Sequence, residues 1–528
     1  MIVLILASAK SDIRYHGYVG MAYSKLNNHG LTLDKLFLKT MRTSKTGKLI
    51  EKNESISYRE FYEGAVRIAD SLHKELGENR TISVMDWNTI DSALLIFAIP
   101  LSGNILHPVD VRQPPAQIIS SMKEARSTHL LYSGDFEKLA LAISSSGLMK
   151  GEDVRESGKV IREYEHSSHE GNELPVLEEG RIASVLFSSG TTGKPKGVKY
   201  RHRDIVLTTW AMETNLSAFP GPARLTSTDT VFSLIPFFHL WSWGTIFIST
   251  LIGSNYILGG RFDPKSTAET IRKNEVTWMS MVPTMFNALT ATEQNSLDHM
   301  KILIGGSAIP SGILNFASDH AIELTGIYGF TDGLAAGIGT SNTTDHFSRR
   351  NADAVNSITP LVFTDFGIEG ENSELKFTAP WIPEGYFNLP EENAYRNGWF
   401  YPGDSAEFTE DGKIRIRDRI KDLIKSGGEF IPSELLEYYI SGIGEILDVA
   451  VIGVHDDKWV ERPVAIYRTK TGKPAQDKTI KSYLADLASK GIIKEWWIPD
   501  RFIMAENMPM TSTGKIDKKA LRITVDKQ

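Results

Sequence analysis

Apolar residues recur at intervals of three and four through one early segment: Phe61, Ala65, Ile68, Leu72 and Leu76. That spacing places them on one face of a helix over residues 58–76. Ser57 and Glu60 have the types and spacing of a capping box at its start, and Gly77 is placed to end it. Downstream the period changes. Short apolar runs at 81–85, 104–107 and 129–132 read as strands, and residues 92–99 and 116–125 between them read as helices. Such alternation predicts a parallel sheet with crossover helices. Residues 150–180 are polar and charged, with few apolar anchors, and are expected to form a surface connection. The run Ile182, Ala183, Ser184, Val185, Leu186 and Phe187 reads as a buried strand, and residues 301–304 as another. The C-terminal part alternates again: a helix opened by Pro432 and Ser433 and running through Tyr439, strands over 448–454 and 464–468, a helix over 479–487 and a strand over 501–505. These suffice for a compact α+β lobe.

Size turns this pattern into more than one core. A chain of 528 residues is too long for a single hydrophobic interior, so at least two domains are expected. Hydrophobic content of 41% and charged content of 23% are ordinary for a globular protein. The net charge of −7, with no basic stripe, argues against a nucleic-acid partner. The absence of cysteine excludes disulfides, thiolate metal sites and a thioester carried on Cys, so any thiol must come from a cosubstrate. The apolar N-terminus, Met1 to Ala7, is too short to span a bilayer and has no basic residue before it. Met21 is an alternative start. No later run reaches transmembrane length, and a cytoplasmic protein is expected.

Candidate chemistry begins directly after the strand at 182–187. Ser188, Ser189, Gly190, Thr191, Thr192, Gly193, Lys194, Pro195, Lys196 and Gly197 combine glycines, hydroxyls and two lysines. Glycines let backbone N–H groups approach a ligand, hydroxyls donate hydrogen bonds and lysine supplies charge, a combination that suits a polyphosphate. Pro195 after Lys194 departs from the P-loop of kinases and GTPases. The loop resembles instead the signature loop of the adenylate-forming superfamily, which includes acyl-CoA synthetases, nonribosomal adenylation domains and luciferases.

The resemblance extends in order from about residue 30 to the C-terminal motif. Pro236-Phe237-Phe238-His239-Leu240-Trp241-Ser242-Trp243-Gly244 is similar to the aromatic-His motif beside the acyl pocket. Taken alone, its aromatics and histidine suit an ordinary core. In fatty acyl-CoA synthetases a tryptophan at the position of Trp243 is proposed to gate the acyl tunnel. Gly305-Gly306-Ser307-Ala308 and Tyr328-Gly329-Phe330-Thr331-Asp332 resemble the two segments that hold adenine, with Tyr328 available to stack and Thr331 contacting the α-phosphate; Gly329 also borders the acyl pocket. Asp332 stands where relatives usually carry the Glu that helps hold Mg²⁺, with Thr191 as second metal contact. Gly398-Trp399-Phe400-Tyr401-Pro402-Gly403-Asp404 resembles the ribose-binding motif, with Pro402 in place of the usual Thr and Asp404 as acceptor. Val355 to Pro360, Ser373 and Ala379 stand where relatives usually carry glycines, which marks a divergent member.

From Asp418 the stretch Asp418-Arg419-Ile420-Lys421-Asp422-Leu423-Ile424-Lys425-Ser426-Gly427-Gly428-Glu429 resembles the hinge of fatty acyl-CoA synthetases. The resemblance implies Arg419 on the ribose, Lys421 at the hinge and Lys425 among the cofactor contacts. Pro509-Met510-Thr511-Ser512-Thr513-Gly514-Lys515-Ile516 is similar to the C-terminal lysine motif and assigns adenylation to Lys515. No carrier domain is expected after it.

The resemblance therefore implies an α/β fold. Residues 1–417 would form a large ATP- and acyl-binding domain of sheets flanked by helices, and 418–528 a smaller mobile α+β domain. It implies ATP and Mg²⁺ with CoA as cosubstrate, a small carboxylic acid as partner, and Lys515, Thr331 and His239 as catalytic residues. Phosphate contacts would come from Ser188, Ser189, Gly190, Thr191, Thr192, Gly193 and Lys196. The expected activity is ligation of a fatty acid to CoA through an acyl adenylate. A catalytically weakened acyl or nucleotide binder, an aryl-CoA ligase and a luciferase-like oxygenase stay open as alternatives. Related synthetases are often dimers, which makes a homodimer an expectation by resemblance alone.

Overall fold

The structure is a computed structural model that describes residues 30–43, 47–165, 174–188, 195–219, 223–339, 357–389, 394–427, 429–475, 477–511 and 514–525. The N-terminal run, Ser189 to Lys194, Val355, Asn356, Gly428, Ser512 and Thr513 lie outside the described residues.

The first helix runs Tyr58–Leu76 with both halves of its capping box made: Ser57 Oγ accepts from Glu60 N at 3.2 Å and Glu60 Oε2 from Ser57 N at 2.7 Å. Gly77, at φ 68°, ends it. Its apolar face packs on the helix Ile90–Leu101, where Phe61 and Phe97 meet edge to face at 5.3 Å. The alternation downstream becomes a six-stranded sheet. In spatial order its strands are Val154–Glu156, Ser127–Tyr132, Thr81–Met85, Ile105–Pro108, Ile182–Ser188 and Lys196–Arg201. All neighbours are parallel except the last pair, an antiparallel hairpin around the signature loop.

One expectation is corrected here. Residues 150–180 include an edge strand, Val154–Glu156, and a helix, Ser157–Glu165, whose Val160, Ile161 and Tyr164 are buried in the main core. Three apolar residues among charges anchor the segment because the charges find partners. Arg155 pairs with Glu75 at 2.9 Å and Glu163 at 2.7 Å, and Tyr164 donates to Glu75.

A second sheet carries the parallel block Asn255–Ile257, Thr230–Ser233, Trp278–Met281, Lys301–Gly305 and Glu323–Phe330. Beyond it lie antiparallel strands that include Leu334–Gly339, Ser357–Pro360, Ile414–Arg419 and Asp404–Phe408. Ser373 keeps a left-handed φ of 51°, the conformation a glycine adopts freely. The third sheet, beginning at Ile424–Ser426 and centred on the hairpin Ile446–Asp456 and Val460–Thr469, makes the small C-terminal lobe with its own buried clusters. Among the described residues no helix is long and apolar enough to cross a membrane.

Candidate active site

The lobes enclose a crevice of about 2020 Å³ at the C-terminal ends of the parallel strands, where ligands collect in open α/β sheets. Lys301–Gly305 and Glu323–Phe330 are parallel neighbours with Gly305 opposite Ile327. Gly306-Ser307-Ala308 and the Tyr328 to Asp332 segment therefore leave the sheet side by side. A Cβ on Gly305 would stand 2.5 Å from Ile327 Cγ2, and one on Gly329 2.7 Å from the Leu334 carbonyl. Close approach of backbone thus requires both glycines. Gly306, Ser307, Ala308, Gly329, Phe330 and Thr331 line the crevice.

Asp404 and Arg419 face each other across an antiparallel pair. Arg419 Nε lies 2.8 Å from Asp404 Oδ1, and the Tyr328 hydroxyl donates to Oδ2. Burial pushes the Asp404 carboxyl up, against the pull of Arg419 and Tyr328. Burial and the same carboxylate push the Tyr328 phenol well up. Tyr328 thus holds the acceptor with its hydroxyl, and its ring stands edge-on to Phe330 at 5.3 Å. Pro402, in place of a hydroxyl residue, accepts from Arg419 Nη1 through its carbonyl at 3.0 Å.

Ser188, at the end of its strand, donates to Asp332 Oδ1 at 2.7 Å. Burial raises the Asp332 carboxyl, while Ser188, Tyr386 and Lys196 oppose the rise. Tyr200 donates to the Thr331 carbonyl at 2.9 Å and Tyr395 to the Asp332 carbonyl at 2.5 Å, fixing the turn from two sides. Asn388 clasps the far flank of the signature loop, accepting from Gly197 N at 2.9 Å and donating to the Pro195 carbonyl at 2.8 Å. Lys196 Nζ sits 5.1 Å above the Tyr386 ring. Among the described residues no three His, Asp or Glu side chains gather into a metal cage. One carboxylate beside one hydroxyl fits instead an Mg²⁺ that takes most of its oxygens from phosphates and water. Thr191, the other expected metal contact, and the remaining loop residues Ser189, Gly190, Thr192 and Gly193 lie outside the described residues.

His239 and Trp243 line the crevice, on a backbone the sequence did not announce. Leu240, Trp241, Ser242 and Trp243 have φ of 51°, 51°, 58° and 55°, followed by Gly244 at 76°. This is one turn of left-handed helix, which costs L-residues roughly 1–2 kcal/mol each. Asn88 holds it in place. Its Nδ2 donates to Ser242 Oγ at 3.2 Å and to the Ile235 carbonyl at 2.8 Å, and its Oδ1 accepts from Phe237 N at 2.8 Å. The turn sets the Trp243 ring against Gly305, where a Cβ would stand 3.2 Å from Trp243 Cη2.

The small lobe delivers Lys515. A Cβ on Gly306 would lie 3.2 Å from Lys515 Cε, and Thr284 Oγ1 donates to the neighbouring Gly514 carbonyl at 2.7 Å. Burial, then the nearby Arg419, pulls the lysine down to about 8, and Asp404 and Glu434 oppose them. Asp418 is fully buried and joins the lobes: its Oδ2 accepts from Ser433 N at 2.5 Å and Ser433 Oγ at 2.8 Å, capping the helix Ser433–Ser441. Lys518 bonds Ser433 Oγ at 2.8 Å and pairs with Glu437 at 2.7 Å. Lys421 lines the crevice just after Arg419. Lys425 is exposed, 5.9 Å from the Phe430 ring, and stands apart from the crevice residues in this arrangement. Tyr200, Tyr395, Asn88 and Asn388 carry no local pattern that marks them. Asp418 lies within the quoted hinge stretch, but nothing there signals a cap.

The chain matches the AMP-binding enzyme family over residues 39–368 and the AMP-binding enzyme C-terminal domain over 436–515. It belongs to this family, the adenylate-forming enzymes. It is 29% identical to a long-chain-fatty-acid–CoA ligase of Thermus thermophilus, covering 88% of this chain and 89% of that one. It is 28% identical to a 3-methylmercaptopropionyl-CoA ligase of Ruegeria pomeroyi, covering 85% and 87%. O-succinylbenzoate coenzyme A synthetase from Bacillus subtilis, solved with ATP and magnesium ion, shares the fold with a TM-score of 0.76 at 21% identity over 92% of this chain and 98% of that one.

Proposed function

We propose that the protein joins a carboxylic acid of fatty-acid type to CoA in two steps at this crevice. A carboxylate oxygen attacks the α-phosphorus of ATP and pyrophosphate leaves. The thiol sulfur of CoA then attacks the carbonyl carbon of the acyl adenylate and AMP leaves. The observation that carries the reading is the meeting of Lys515 with Gly306, at the mouth of the strands that bear Thr331 and Asp332, with Asp404 near enough to oppose the lysine's loss of its proton.

Two anions must meet in the first step, so fixed cations and donors dominate catalysis. Lys515 supplies charge, Thr331 a hydroxyl, and the signature loop backbone donors. Asp404 takes the ribose hydroxyls, with Arg419 and Tyr328 holding it. Mg²⁺, held by Asp332 and Thr191 with the phosphates, would neutralise phosphate charge. The acyl chain would lie along Ile205, Met212, Leu240, Phe247 and Ile327, apolar residues of the same crevice, with Trp243 and His239 at its mouth. The names of the relatives support CoA ligation of either a fatty acid or a smaller thioether acid, and the apolar lining favours the fatty acid. We divide the chain just after Arg419, a little beyond the Asp418 boundary expected from the sequence because the strand Ile414–Arg419 belongs to the large sheet, with the part before the division binding ATP and acid and the part after it moving between the steps. A cytoplasmic location fits the lack of a membrane-crossing helix among the described residues.

Pyrophosphate release with Mg-ATP across acids from acetate to palmitate, plus benzoate, with and without CoA, tests the reading. A peak within the alkyl series that needs CoA for turnover is expected. A benzoate optimum would move the assignment to aryl acids, and silence throughout would overturn it.

A further inference from the structure

Each lobe has its own core, and near Lys515 they meet through Tyr438 of the small lobe, which packs against the large lobe's apolar cluster, and through hydrogen bonds to backbone carbonyls. Thr284 and Asn287, one turn apart on the helix Pro283–Thr292, reach the Gly514 and Leu447 carbonyls at 2.7 and 3.0 Å. At the start of the helix Ser311–Asp319, Ser311 Oγ donates to the Tyr438 carbonyl at 2.5 Å and lies 3.3 Å from Ser441 Oγ. Two glycines make this last approach possible. A Cβ on Gly312 would stand 2.5 Å from the Ser441 carbonyl oxygen, and one on Gly442 2.7 Å from Ser311 Oγ. The first clash is with backbone and cannot be relieved by a rotamer change. One aromatic ring and a few hydrogen bonds, with no shared core, leave lobes free to part.

We propose that Gly312 and Gly442, with Ser311 and Ser441, form a latch whose closing places Lys515 beside Gly306, making these four positioning residues for adenylation. The proposal rests on the two-step reading above. Gly312 has helical backbone, where alanine is the better helix former, so Gly312→Ala leaves the large lobe intact and removes only the room for docking. The latch lies at the other end of the small-lobe helix from Asp418, so the two contacts fix that helix at both ends.

The cysteine-free sequence permits a direct test. In a Ser311→Cys/Ser441→Cys double variant of the full chain, diamide should form a disulfide across the lobes, read by mass spectrometry without any substrate. Adding Gly312→Ala should suppress that bridge. With decanoate as probe acid, the bridged protein should form adenylate once and fail to pass the acyl group to CoA until dithiothreitol is added. Gly312→Ala alone should slow pyrophosphate release by about tenfold or more while changing thiolysis of supplied decanoyl adenylate by less than about twofold. A bridge that does not form in the folded chain, or equal effects of Gly312→Ala on both half-reactions, overturns the latch. A bridge that forms and is suppressed by Gly312→Ala, in a protein silent with every acid, would overturn the activity reading and leave the latch standing.

Discussion

Lys515 of the small lobe passes Gly306 of the large lobe so closely that a Cβ at Gly306 would stand 3.2 Å from Lys515 Cε. Gly306 also has φ 94°, a conformation that L side chains rarely adopt. Gly306→Ala therefore meets two penalties. We expect a stability loss of about 1 kcal/mol from the backbone alone, seen as a lower Tm. Pyrophosphate release should fall more than thiolysis, because only the first step needs Lys515 in this position.

Lys515→Ala should lower adenylation by about 10²–10³ and thiolysis of a preformed adenylate much less. Its depressed pKa sets a pH limit as well. Adenylation needs the charged lysine, so the rate should fall as pH rises through about 8. For stability the sign is opposite. Below about 8 the lysine is protonated in both states and burial of its charge costs stability in full; between there and its ordinary 10.5 the unfolded chain holds more protons, so stability recovers with rising pH. A pH–rate profile whose alkaline limb is unchanged in Lys515→Arg would refute the assignment.

Tyr328→Phe removes one of the two groups that hold Asp404. Arg419 remains on the other oxygen, so the fold should survive. A buried carboxylate deprived of a donor costs about 1–3 kcal/mol, and we expect the KM for ATP to rise about tenfold with a smaller change in kcat. Steady-state kinetics at saturating acid would show it.

Asp332→Asn keeps the shape of the Ser188 contact and removes the charge. The Mg²⁺ concentration for half-maximal pyrophosphate release should rise about 10–100-fold. Asp332→Glu, which keeps the charge on a longer arm, should restore most of the requirement. Equal Mg²⁺ dependence in wild type and Asp332→Asn would place the ion elsewhere.

Local pattern made much of the scaffold legible. The helix Tyr58–Leu76 was readable because burial on one face imposes a period that a few residues reveal, and the strand Thr81–Met85, buried at every position, because it is a short apolar run. Motif order likewise announced Lys515, Asp404 and Asp332 as a set. The helix Ser157–Glu165 was not readable, because its three anchors are too few for a period and its charges suggest solvent until their ion partners are known.

By itself, then, the amino-acid order determined which segments alternate, which family they belong to and which side chains carry charge to the site. Tertiary structure decided the rest. It brought the Tyr328 hydroxyl to Asp404, 76 residues on, although three other strands stand between theirs in the assembled sheet. It wound Leu240 to Gly244 left-handed around Asn88, a conformation local preference opposes and only surrounding hydrogen bonds sustain. It also set two glycines, Gly312 and Gly442, against the opposite lobe. The physical reason is one of range: side-chain periodicity acts over a few residues, whereas these contacts join segments whose meeting is fixed by packing of the whole.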